Sequence, residues 1–276
     1  RLESLNQARI IQFSQSGPKA GRAFTALPTG AETTIRPLRM NVLARRRLRL
    51  PLPLAPRRCN GPSCRTPLDA YGDHWAACNV SGRLVRRARP MERAWGRVLE
   101  EAGARVQRHQ RLADMDIPGI SASDGRVIEL VANDLPSSAN PHGLPLVCDV
   151  TMGSPLRANG TARPRAHAEP GVAIANAEQD KARRYPELVD STRCKFVVLA
   201  CEVGGRWSAT CCQFVRDLAE AKSRAAPRRL QRSTARAWED RWSGMLAVAA
   251  QDALAATLVD AAPQLLHARD VSGPPL

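Results

Sequence analysis

The sequence predicts a mixed α/β fold, a sheet flanked by helices, with a small cysteine-rich unit ahead of it. Two observations carry this. From about residue 88 onward, short apolar runs of strand length and stretches of helical periodicity follow one another as helix, three strands, helix, strand. Just upstream, between residues 56 and 82, three cysteines and a histidine fall within one short stretch. With 276 residues the chain is long enough to build a real apolar core.

The elements divide the chain into four parts. Residues 1–55 read as an arginine-rich connector: Ser, Gly and Pro punctuate its first half, a short helix is allowed in "RPLRMNVLARRR", and "PLPLAP" is extended because proline excludes helix. Residues 56–82 hold the cysteine-rich unit. In residues 88–225, "MERAWGRVLEEAGA" places Met91, Trp95, Val98 and Leu99 at helical spacing, with Gly103 as its stop. Three strands are expected near residue 105 ("RVQRHQRL"), from Arg126 ("RVIELVA") and from Leu144 ("LPLVCDVT"). A helix over about 171–189, a strongly apolar strand from Lys195 and a helix over about 210–224 follow, and residues 226–276 form a helical extension.

The charge narrows the partners. Lys and Arg total 41 against 26 Asp and Glu, a net +15, which points to a polyanion: nucleic acid first, an acidic membrane surface second. Only Lys19, Lys181, Lys195 and Lys222 are lysines, a bias that GC-rich coding would also produce. The arginines nevertheless cluster, and Arg45, Arg46, Arg47, Arg57 and Arg58 stand directly before the cysteines, where phosphate contacts are expected. Of the eight cysteines, Cys148, Cys194 and Cys201 lie inside apolar runs, as reduced core residues do, so a reducing compartment is expected. No apolar stretch of about 18 residues is visible, so no membrane span is expected, nor is a signal peptide. The start at Arg1, in mid-pattern, reads as a piece of something longer.

Cys59, Cys64, His74 and Cys78 have the spacing C-x4-C-x9-H-x3-C. Two ligand pairs held by turn residues ("NGPS", "YGD") suit the tetrahedron that zinc prefers, and a closed Cys3His shell leaves no open coordination position, so the expected zinc is structural. Tyr71 and Trp75 stand inside this unit, available to stack on an unpaired base.

Downstream, Arg108 and His109 sit on the first strand, Asp124 and Glu129 at the start and middle of the second, and Asp149 near the end of the third. Lys181 and Tyr185, four apart, face the same way on the next helix. Carboxylates on adjacent strands with a lysine nearby are what a Mg²⁺- or Mn²⁺-dependent phosphodiesterase needs: hard oxygen ligands for the metal and a cation for the developing charge. The plainer readings are a turn aspartate beside Gly125, a solvated Lys181 and a surface His109.

Taken in order, these segments resemble the carboxyl-terminal part of non-LTR retrotransposon proteins that carry a restriction-like endonuclease. "CNGPSC…GDHWAAC" looks like that family's zinc knuckle, "QRHQ" like its Arg-His motif, "VIELVAN" and "LVCDVT" like its two acidic strands, and "DKARRY" like the helix with the displaced lysine. The resemblance covers roughly residues 20–205. It implies a PD-(D/E)xK core in which Asp149 is the second metal ligand, Lys181 the catalytic lysine and Tyr185 its neighbour, with Glu129, embedded in its strand, favoured as the first acid and Asp124 as the alternative. It further implies nicking of target DNA in the nucleus, the element's RNA as a second partner, and a reverse-transcriptase domain in the same parent polypeptide. Thr151 occupies the usual lysine slot, and "LRANGTARPRAHAEPG" lengthens the path from Asp149 to Lys181. The alternative is a non-catalytic, decayed or domesticated nucleic-acid-binding module of the same fold.

Overall fold

The β-branched and leucine-rich runs form a single four-stranded sheet in a computed structural model that describes residues 2–52, 58–135 and 143–259. Its strands, in spatial and chain order, are β1 (Arg105–Arg111), β2 (Val127–Asn133), β3 (Leu146–Gly153) and β4 (Lys195–Glu202). β1, β2 and β3 are antiparallel neighbours, whereas β3 and β4 run parallel and are joined through α6 (Val172–Arg184) and α7 (Pro186–Val189). That helical crossover is what a parallel pair requires. The helix expected over 171–189 is thus two, because Pro186 cannot donate to the preceding turn.

The two sheet faces have different covers. Leu130, Cys148, Val150 and Leu199 lie under α5 (Arg83–Ala102), α8 (Ala209–Ser223) and α9 (Gln231–Val259), forming the largest core cluster with Trp95, Leu218 and Trp242. Val131 and Val147 point to the other face, against Tyr185 and Leu188. α5 begins well before the expected Met91 and carries Pro90 inside it, while Gly103 ends it in the left-handed region (φ 111°) as expected. The extension follows from burial: Arg83 and Arg87 continue the buried stripe of Met91, Trp95 and Val98 back under the cysteine-rich unit.

Two expectations need correction. The stretch expected as a connector holds helices within residues 2–52: α3 (Pro37–Arg47) falls where a short helix was allowed, α1 (Leu2–Gln15) and α2 (Arg22–Thr25) are additional, and Ala23, Ile35, Val42 and Leu43 share a core with Val248, Leu254 and Leu258 of α9. The Ser, Gly and Pro residues there end short helices instead of loosening the chain. Second, α9 does contain a window long and apolar enough to cross a membrane, with mean hydropathy 1.3, but 78% of that window is buried among the protein's own helices. Most of its apolar surface is used in packing. Glu101 of α5 ties this helix down by accepting from Arg241 Nη2 (2.8 Å) and Trp242 Nε1 (2.8 Å).

Candidate functional site

The cysteine-rich unit is held by carboxylates and by α9. Asp69 accepts from the backbone N–H groups of Tyr71 (2.8 Å), Asp73 (3.0 Å) and His74 (2.7 Å), which fixes the start of the short helix α4 (Asp73–Ala77). Gly72 adopts φ 73° and a Cβ there would come within 2.8 Å of Leu258, so both its conformation and its contact call for glycine.

Cys59, Cys64, His74 and Cys78 each direct one ligand atom to a common point, all within 4.8 Å of one another. Cys59 Sγ and Cys78 Sγ are 3.9 Å apart, and Cys64 Sγ and His74 Nε2 3.5 Å apart. A tetrahedron with arms of about 2.3 Å has edges of about 3.8 Å, so the four could bind zinc with little movement. His74 Nδ1–H donates to the Ala158 carbonyl at 2.6 Å, leaving Nε2 unprotonated toward the sulfurs. Gly61 N–H donates to Cys59 Sγ, and hydrogen bonds from Thr66 pull the Cys64 thiol down to about 7.

The acidic constellation lies on the α6 side of the sheet. β2 and β3 pair through Leu130 and Cys148, and the next residues along that register are Glu129 and Asp149, on the face of Val131 and Val147. Asp149 is fully buried and accepts from Lys181 Nζ of α6 at 2.6 Å. Burial pushes the Glu129 carboxyl up to about 7, aided by Asp149 and opposed by Lys181. Burial also raises Asp149, against the pull of Lys181. Among the described residues no N–H or hydroxyl donor reaches Glu129 Oε2 or Asp149 Oδ1, both buried; protonated, the Glu129 carboxyl donates to Asp149.

The other expected residues fall in different places. Asp124 is committed to Arg126 (2.7 Å), which holds its carboxyl below the usual range and itself reaches Glu187 (2.9 Å). The fold thus brings Glu129 beside Asp149 and Lys181 and commits Asp124 to Arg126. Tyr185 is a buried core ring against Phe196 (5.6 Å), with burial pushing its hydroxyl up to about 12. Arg108 ties β1 to α5 through Glu100 (2.7 Å), its guanidinium lying where a Cβ on Gly96 would be.

His109, at φ 54°, reaches Glu92 of α5 (3.5 Å). Glu92 was not anticipated from sequence: it is buried, raised by that burial, and electrostatically felt by both Asp149 and Glu129. Its signal was a carboxylate on the apolar arc of an amphipathic helix, one turn from Trp95.

Among the arginines, Arg46 is not a free phosphate contact. It is buried, paired with Asp73 (3.2 Å) and donating to the Tyr71 carbonyl. Arg45 donates to Asn41 and the Pro51 carbonyl; Arg47 lies over Phe24. Arg58 is exposed, donating to the Arg65 carbonyl, and Arg57 lies outside the described residues. The stacking role expected of Trp75 is also corrected: the indole is buried under Arg83, and Tyr71 is covered by Arg49 (4.0 Å).

One buried side chain links the cysteine-rich unit to the end of β3: Arg87 donates from Nη1 to Ala76 O of α4 (3.0 Å) and from Nη2 to Met152 O (2.9 Å), three residues beyond Asp149. No protein-family model and no curated protein matches the chain.

Proposed function

We propose that this chain is the DNA-nicking end of a non-LTR retrotransposon protein, a PD-(D/E)xK-type endonuclease domain preceded by a structural zinc knuckle. The observation that carries the reading is that Glu129 and Asp149, one step beyond the Leu130–Cys148 pair of β2 and β3, each have a buried oxygen reached by no N–H or hydroxyl donor among the described residues, with Lys181 delivered by α6. Leaving two carboxylate oxygens buried and unpaired is costly. That donor set suits a hard divalent cation, Mg²⁺ or Mn²⁺, for which Glu129 and Asp149 would be the ligands. Such an ion supplies Lewis-acid stabilisation of a phosphodiester and a nucleophile at neutral pH.

The protein's own contribution is placement. Asp149 is fixed by β3, and the Lys181 ammonium stands beside it to balance negative charge at the phosphate. Glu92 and His109 border the same carboxylates from α5 and β1. The net +15 fits partners that are polyanions, the target DNA in the nucleus and the element RNA.

A supercoiled-plasmid assay with Mg²⁺ or Mn²⁺ tests the reading, comparing wild type with Asp149→Asn at equal zinc content. Metal-dependent nicking is expected, with a loss of at least a hundredfold in the variant. Steeply salt-dependent DNA binding without any nicking would instead identify a non-catalytic binding module.

A further inference from the structure

The α8–α9 hairpin carries a cluster of exposed arginines outside the sites above. α8 and α9 enclose an open groove of about 430 Å³, walled by Arg216 and Arg224 on one side and by Arg232 and Arg236 on the other. Arg228 and Arg229 extend it around the turn, and all six side chains are exposed. Among the described residues, Arg224, Arg228, Arg229, Arg232 and Arg236 form no ion pair, although the surface elsewhere pairs its arginines freely with carboxylates. Glu239, at the groove floor, is already held by Lys19 (2.7 Å), which leaves Glu220 as the groove's one carboxylate without an ion pair.

Two features define what fits there. Arg232 and Arg236 stand one turn apart on α9, a helical step of about 6 Å, comparable to the step between neighbouring phosphates of one strand, while Arg224 caps α8 and Arg228 lies in the turn between the helices. No aromatic side chain lines the groove, so it offers phosphate contacts and no stacking platform. It is also remote in topology from the acidic constellation: α8 packs on the Leu130/Cys148 face of the sheet, whereas Lys181 approaches from the opposite face.

We infer that the α8–α9 groove is a separate binding surface for single-stranded nucleic acid, held through its phosphates and independent of base sequence. The inference does not rest on the nuclease reading.

Fluorescence anisotropy of the zinc-loaded full chain tests it with a labelled oligo(U), an oligo(dT) and a duplex of equal length. Arg228→Glu/Arg232→Glu/Arg236→Glu is expected to lose at least tenfold in single-strand affinity while duplex affinity changes less than twofold. Its salt slope should fall by about 2, roughly 0.7 for each of the three phosphate contacts removed. The neutral Gln triple variant should fall between, and both should keep the wild-type Tm because the side chains are exposed. Loss on both oligonucleotides assigns a phosphate-only site; loss on oligo(U) alone assigns it to RNA. Unchanged single-strand binding overturns the proposal, as does equal weakening of single strand and duplex, which would report net charge only. Binding of phosphatidylserine vesicles that is lost in the variants, with oligonucleotide binding intact, would overturn it in favour of a membrane surface. Asp149→Asn should leave single-strand affinity unchanged whether or not the chain nicks DNA.

Discussion

Replacing Arg87 tests whether the cysteine-rich unit and the acidic strand are one mechanical body. The guanidinium is 3% exposed and faces two backbone carbonyls, Ala76 O at 3.0 Å and Met152 O at 2.9 Å. Hydrogen bonds to a charged group contribute about 1.5–3 kcal/mol each, so the two are worth about 3–6 kcal/mol. Against this stands the cost of burying the charge: burial and, to a lesser degree, Arg46 pull Arg87 from 12.5 down to about 10. At 1.36 kcal/mol per unit that is of order 3 kcal/mol.

Arg87→Met removes both terms and orphans two carbonyls, for a net loss of about 2 kcal/mol. Arg87→Lys keeps the buried charge, but a single ammonium cannot span both carbonyls, so the apparently conservative change should cost more, about 3 kcal/mol or above. Urea denaturation measures the stabilities, and release of zinc to a colorimetric chelator measures the hold on α4, which should loosen in both variants. Hydrogen exchange should also quicken at the end of β3, at Met152 and Gly153. Stability of Arg87→Met within 0.5 kcal/mol of wild type, with unchanged zinc release, would refute the coupling.

Two further outcomes follow from the geometry. Cys78→Ser should reduce zinc from about one ion per chain to near none by elemental analysis and lower Tm by about 10 °C, if the site contributes about 3 kcal/mol at this chain length; full zinc content in the variant would contradict the ligand assignment. Glu129 titrates at about 7 in the fold against 4.5 unfolded, so its stabilising contribution is complete below pH 4.5 and is lost as pH rises through 7. Glu129→Gln should therefore be more stable than wild type at pH 8, by up to about 3 kcal/mol, and no more stable at pH 4; equal urea midpoints at pH 8 would show that burial does not penalise this carboxylate.

Strand positions, the Cys3His set and the stop at Gly103 were legible because each is written in local pattern: runs of β-branched residues, ligand spacing, a glycine after an apolar stripe. What was not legible depends on long-range burial. Arg46, Arg83 and Arg87 look in sequence like members of a solvated basic run, yet each lies beneath a neighbouring element and donates to backbone carbonyls there. Trp75 looked available for the same reason. Of the helices in residues 2–52, α3 falls where a short helix was allowed, whereas α1 and α2 escaped detection because their apolar residues follow no clear stripe. The packing partner of α2 and α3, the second half of α9, is about two hundred residues away in sequence. Glu129 is set apart from Asp124 in the sequence by its place inside the strand; in the fold Asp149 and Lys181 act on Glu129, whereas Asp124 is taken by Arg126.

The long insertion between Asp149 and Lys181 illustrates how these distant contacts bear on the acidic constellation. A longer connection raises the entropic cost of bringing Lys181 back to Asp149, by only about 0.6 kcal/mol per doubling, provided the segment is otherwise unconstrained. Here it is pinned from two sides. His74 Nδ1–H holds Ala158 O, and Gln7 of α1 donates to Gly160 O (3.0 Å), while Ile10 and Ile11 pack on Leu156 and Ala166. The amino-terminal helix and the cysteine-rich unit thus constrain the insertion as it leads into α6. Arg87 fixes the strand from which it departs. The lysine meets its carboxylate at 2.6 Å despite the longer path, because elements far apart in sequence anchor both ends of that path.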